Sequence, residues 1–263
     1  MTNQKKKMIS IAAAMGAFII LFIATCSPSE EKILEKHCGE FVQSEFEQVD
    51  WNNPDEAVIG RNIARELARD VDSLRNYTMS PQNKYGFSKM YCTATATHAL
   101  RDAQNRMNAK QYGVNVFQGA PKYHMTNGNV LFDYMRKTYE KDIPGSVVVI
   151  RKPLDMKISQ MEKQIKNVNP GAMVRYYGHY STGKPHAHTQ TYLGRGYCND
   201  GCFVPNRRGR TVMGAGYNDA FKYLQDDIEK YRQPCDERHA EPDSIVFLDM
   251  AKIMAAQAKQ NQQ

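Results

Sequence analysis

Three residues stand along the chain in an order usable for nucleophilic catalysis: a thiol at Cys92, an imidazole at His188 and a carboxylate at Asp200. Cys92 falls in the first turn of a helix expected from about Met90 to Lys110. Unpaired amide N–H groups there favour a thiolate, lowering a thiol pKa from about 8.5 toward about 3.5 to 7.5, and can also hold an oxyanion. Its neighbours Thr93, Ala94, Thr95 and Ala96 are small and leave room for a substrate or another element. His188 opens an alternating stretch that ends at Gly194, so Gln190 and Tyr192 share its side of the strand. A strand imidazole can act as base to a thiolate on a facing helix, provided that a third group fixes its ring. Asp200 is the first choice for that group and Asn199 the second, because a turn at Gly194-Arg195-Gly196 can return the chain alongside His188.

The elements that must position these groups can be read from periodicity. Apolar residues recur at helical spacing over Glu31–Asp50, and again over Asp55–Leu74 behind an Asn53-Pro54 start. Strand character follows in Val114–Phe117, Val130–Tyr134, Ile143–Arg151, Ala172–Tyr177 and His188–Gly194, with a shorter signal at Thr211–Met213, and Ser244–Leu248 reads as a short strand or a helix start. Met156–Val168 and Tyr217–Tyr231 read as helices, and the polar end from Gln257 reads as frayed. Helices followed by a mostly antiparallel sheet define an α+β plan. The expected organisation is an address segment at 1–26, a helical N-terminal extension at 27–84, a main domain at 85–250 and a polar tail at 251–263.

Composition narrows the function. With 41% hydrophobic and 24% charged residues, the 263-residue chain has an ordinary globular balance. Three of its seven excess positive charges are Lys5, Lys6 and Lys7, and most other basic residues are interleaved with acids, so no nucleic-acid partner is expected. Those lysines precede the uncharged run Met8–Thr25, which ends at Cys26. Such a head is an export signal or a membrane anchor and places the rest outside the cytoplasm. The stretch Ile23-Ala24-Thr25-Cys26 resembles the lipobox of bacterial lipoproteins, which implies a lipid on Cys26; an uncleaved anchor and a simple secretory signal are the alternatives. Of the other cysteines, Cys198 and Cys202 would close a small loop if the backbone turns sharply between them, and Cys38 with Cys235 would tie the two ends of the domain.

The Tyr91-Cys92 helix start, the strand Gly171-Ala172-Met173-Val174-Arg175-Tyr176-Tyr177, and His188-Thr189-Gln190-Thr191-Tyr192-Leu193-Gly194 followed by Asp200 together resemble the NlpC-type cell-wall cysteine peptidases and their CHAP amidase relatives. The resemblance covers roughly residues 85 to 215. It implies a papain-like fold, in which an antiparallel sheet packs against the cysteine-bearing helix, and hydrolysis of peptidoglycan amide bonds without metal or cofactor. Cys92 would attack the carbonyl, helix-start amides would hold the oxyanion, and His188, oriented by Asp200, would protonate the leaving amine. Tyr91, Arg175, Tyr177, Gln190 and Tyr192 would line the substrate groove. Two other readings compete. His179, His186, His188, Cys198 and Cys202 supply ligand types suited to zinc. A non-catalytic envelope protein that binds wall peptides or a partner would use the same Arg and Tyr surface.

Overall fold

In a computed structural model the chain divides into two compact units, Met1–His37 and Cys38–Gln263. The structure describes residues 43–75, 92–120, 128–180, 182–194, 197–205, 211–219 and 240–262. Side chains are not described at 70–75, 92, 94, 95, 158, 186, 197–205, 211–219 and 240–242. The address segment, Cys26, Cys38, Cys235 and Tyr91 therefore lie outside the described residues. Among the described residues no helix is long and apolar enough to cross a membrane.

The second unit has the expected α+β architecture. Its helices are α1 (Glu56–Arg75), α2 (Cys92–Arg106), α3 (Gly128–Tyr139), α4 (Ile158–Ile165) and α5 (Met250–Gln260). The strands are β1 (Val147–Arg151), β2 (Met173–Tyr180), β3 (Pro185–Gly194), β4 (Tyr197–Pro205), β5 (Thr211–Asp219) and β6 (Ala240–Leu248), arranged in one sheet of order β1-β6-β2-β3-β4-β5. Every neighbouring pair is antiparallel.

Strand alternation divides the sheet into two unequal faces. Met173, Val246 and Leu248 join the larger core, which α1, α2, α3 and α5 bury with Ile59, Leu100, Leu131, Phe132 and Met254. Val174, Tyr176, Tyr192, Ile245 and Phe247 point the other way, into a smaller core with Met161 and Ile165 of α4. Two devices fix the helices on the larger face. The Asp249 carboxylate caps α5 by accepting from the Lys252 amide at 3.2 Å, and its other oxygen accepts from the Asn169 amide at 3.0 Å. Where α1 crosses the turn into β2, Gly60 and Gly171 allow backbone contact; a Cβ on Gly60 would stand 2.6 Å from the Pro170 carbonyl oxygen.

Several local expectations change. Residues 45–50 are not helical, because α1 holds this stretch extended. Asn62 bonds both the amide and the carbonyl of Glu47, at 2.9 and 2.8 Å, and Arg61 forks onto the Glu47 carboxylate at 2.7 and 2.6 Å. The cap of α1 is Asp55, which accepts from the Ala57 amide at 2.8 Å, and not Asn53. Val130–Tyr134 lies inside α3: Leu131, Phe132 and Met135 are buried, and a short buried apolar run suits helix and strand equally. Val114–Phe117 forms no strand, and its second half lies in a turn. Tyr217–Asp219 ends β5, and the remainder of the expected Tyr217–Tyr231 helix lies outside the described residues. The supposed tail from residue 251 is mostly α5, whose Ala251, Ile253, Met254, Ala255 and Ala258 are buried; Gln257 holds the Asn115 amide and Gln262 donates to the Trp51 carbonyl.

The Glu47 clamp gives stability a pH signature. Hydrogen bonding from Arg61, with a further contribution from Arg65, outweighs burial and lowers the Glu47 carboxyl from 4.5 to about 2. A depressed folded-state pKa stabilises above 4.5, and the gain is lost as pH falls from there toward 2. The carboxylate is 36% exposed, so screening reduces the gain to about 1 kcal/mol. Urea unfolding of the wild type and Glu47→Gln should differ by about that amount at pH 6 and converge near pH 2. A gap that does not change with pH would contradict the clamp.

Candidate functional site

Backbone placement agrees with the sequence reading at the first two positions. Cys92 begins α2, and His188 lies within β3. Asp200 lies on β4, which returns antiparallel beside β3 with Asn199 opposite Thr191; its side chain is outside the described set.

The face on which the His188 side chain stands does not agree. Thr93, one residue after Cys92, shares a 2.9 Å hydroxyl hydrogen bond with Thr189. This bond lays the first turn of α2 over the Thr189 side of β3. His188 precedes Thr189 and pairs across the sheet with Tyr176, a residue of the smaller core. Its imidazole thus leaves the strand on the side away from α2, and the sheet stands between that ring and the helix beginning at Cys92. The expected approach of His188 to the α2 start is corrected by this parity.

Arg175 occupies the place under the α2 start. Its Nη1 donates to Thr189 at 2.5 Å and lies 3.5 Å from the Thr93 hydroxyl. Nε and Nη2 donate to the Asn129 carboxamide oxygen at 3.1 and 2.7 Å. The guanidinium also lies over the Phe132 and Tyr177 rings, at 5.8 and 5.4 Å from their centroids. Gly128 begins α3 against it: a Cβ there would overlap Nη1, so the guanidinium would have to shift. Arg175 is 5% exposed and acts as a latch joining two helix starts to β2 and β3.

The other expected groove residues serve packing. Tyr192 is 6% exposed and meets Phe247 edge-on at 5.9 Å. Gln190 is 2% exposed and belongs to the smaller-core side. Tyr177 packs against the larger core; burial raises its hydroxyl pKa, and the nearby Arg175 charge opposes the rise. The groove expected from Arg175, Tyr177, Gln190 and Tyr192 is therefore replaced by interior contacts on both faces of the sheet.

His179, which the sequence offers only as a zinc ligand, has an acidic partner instead. His179 places Nδ1 3.1 Å from an Asp243 oxygen, and by alternation it shares the Tyr177 side of β2. It lies four residues beyond Arg175, about 13 Å along the strand. Both partners are well exposed. Asp243 lies beside an irregularity in the β2–β6 register at Tyr177/Gly178, and no sequence period announces that contact.

The small disulfide loop is also corrected. Cys198 and Cys202 lie on one extended strand paired with β5 throughout, so four residues separate their Cα atoms by about 13 Å, against roughly 4.4 to 6.8 Å in a disulfide. Among the described residues no group of three or more His, Cys, Asp or Glu side chains could hold a metal ion; the zinc alternative also drew on His186, Cys198 and Cys202, whose side chains are outside that set.

The fold therefore defines an α+β protein with helices on both sides of a six-stranded antiparallel sheet. Comparison with protein-family models, with curated proteins and with solved structures gives no match.

Proposed function

We propose that the protein is an exported, membrane-anchored envelope module that binds cell-wall peptide and does not hydrolyse it through a Cys92–His188 pair. The observation supporting this choice is the parity of β3, which turns Thr189 toward the cysteine-bearing helix and His188 away from it. A general base must come within hydrogen-bond reach of the proton it takes, and an interposed sheet prevents that. The N-terminal signal supplies the envelope location, and the resemblance of the Cys92 and His188 segments to wall peptidases supplies the target class.

The test uses full-length wild type, Cys92→Ala and His188→Ala with purified peptidoglycan. All three should sediment with the wall, and none should release soluble peptide fragments above a buffer blank. Release by the wild type that falls about 100-fold or more in both variants would overturn the proposal in favour of the thiol hydrolase. Failure of all three to sediment would refute wall binding itself.

A further inference from the structure

A cavity of about 290 Å³ opens between the segment 46–51, the end of α2 and the 3-10 turn Ala109–Tyr112. One wall is an aromatic pair. Trp51 is 2% exposed and fixed by its indole N–H, which donates to the Met107 carbonyl at 2.7 Å. Tyr112 stacks on it with centroids 6.0 Å apart and planes at 28°, yet Tyr112 itself is 42% exposed. It is the exposed large hydrophobic residue among those described. A rigid partner thus holds an aromatic ring at the surface, where it can accept a flat apolar ligand face.

The rest of the lining is polar and electrically balanced. Gln48, Asn108 and Gln111 bring exposed carboxamides, and the Asn108 side chain makes no capping bond to the turn that follows it. Arg106 pairs with Glu66 at 2.9 Å, while Glu47 is held by Arg61 and Arg65 at 2.6 and 2.8 Å. Because the lining charges are answered within the protein, an ionic ligand gains little here. An uncharged ligand with an apolar face and a rim of hydroxyl or amide groups matches both the ring and the carboxamides. The volume is at the low end for ligand pockets, which suits one small ring.

We propose that this cavity binds a single uncharged pyranose sugar, stacked on Tyr112 and hydrogen-bonded by Gln48, Asn108 and Gln111. The inference adds a ligand class and a site for it, and it stands on the cavity alone; a wall glycan is one source of such a ring.

The chain contains one tryptophan, so its emission reports on this wall of the cavity. Titrating N-acetylglucosamine into the full-length protein should give a saturable change in Trp51 emission, with a Kd on the order of millimolar, as expected for one small ring. Saturation-transfer NMR on the sugar should reproduce that Kd without relying on fluorescence. Tyr112→Ala, a surface change that should leave the circular dichroism spectrum intact, should weaken binding at least about tenfold, and Gln111→Ala should weaken it less. No saturable signal up to about 100 mM, or unchanged affinity in Tyr112→Ala, would overturn the inference. Wall sedimentation separates the two claims: if it fails while the sugar still binds, only the wall-binding proposal falls, and the converse removes only the pyranose site.

Discussion

Replacing Arg175 by Met should cost about 3 to 4 kcal/mol of stability. The expected loss is large because one guanidinium satisfies the Asn129 carboxamide and the Thr189 hydroxyl and lies beside the Thr93 hydroxyl. Methionine retains much of the volume between Phe132 and Tyr177 but removes the charged donor from the buried Thr189 hydroxyl, which keeps only its bond to Thr93, while the exposed Asn129 carboxamide can turn to water. Loss of a charge-assisted bond to one buried hydroxyl costs about 1.5 to 3 kcal/mol, and loss of a cation desolvated over two rings adds about 2 kcal/mol. Arg175→Lys keeps the charge without the planar fork and should lose about half as much. In a domain of this size the Met variant should melt about 8 to 12 °C lower. A melting point within about 2 °C of wild type would show that the latch contributes nothing net.

Gly171→Ala should cost about 3 kcal/mol or more through two separate mechanisms. At φ +83° the residue lies in the left-handed region, which costs a side-chain-bearing residue about 1 to 2 kcal/mol. Its new Cβ would also stand 2.6 Å from the Ile63 Cβ and 2.8 Å from the Gly60 carbonyl oxygen, and backbone cannot move aside cheaply there. Gly183→Ala is the control: it has similar φ, +73°, but nothing within 4 Å of the new Cβ, so it should show only the conformational part. The difference between the two urea midpoints measures the crossing of α1 over the turn into β2. Equal effects at the two glycines would mean that this crossing is looser than the distances imply.

The elements most legible in the sequence are those whose period matches their burial. The Asp55–Leu74 helix, the Ala172–Tyr177 strand and the helix opening near Cys92 show this plainly. Errors arose where one apolar run fits two structures, as at Val130–Tyr134, or where tertiary bonds override local preference, as at Glu47. The polar Gln257–Gln263 end concealed the last turn of α5 because Gln257 and Gln262 are held there by hydrogen bonds to distant Asn115 and Trp51. For the site, residue types and strands were readable but the side of the sheet was not. The decisive clue was one residue away: Arg175 faces the larger core and pairs with Thr189, so Thr189 rather than His188 faces α2. A sequence shows that two residues alternate; only the packing on each face shows which of them the helix meets.

That parity can be tested at the sulfur itself. The rate of Cys92 alkylation by iodoacetamide, followed from pH 4 to 10 by mass spectrometry of the labelled peptide, reports the titration of its thiol. An imidazole within bonding reach would shift the profile. The geometry predicts superimposable profiles for wild type and His188→Ala. A midpoint displaced by about one pH unit or more in the variant would place the imidazole beside the thiol and contradict the account.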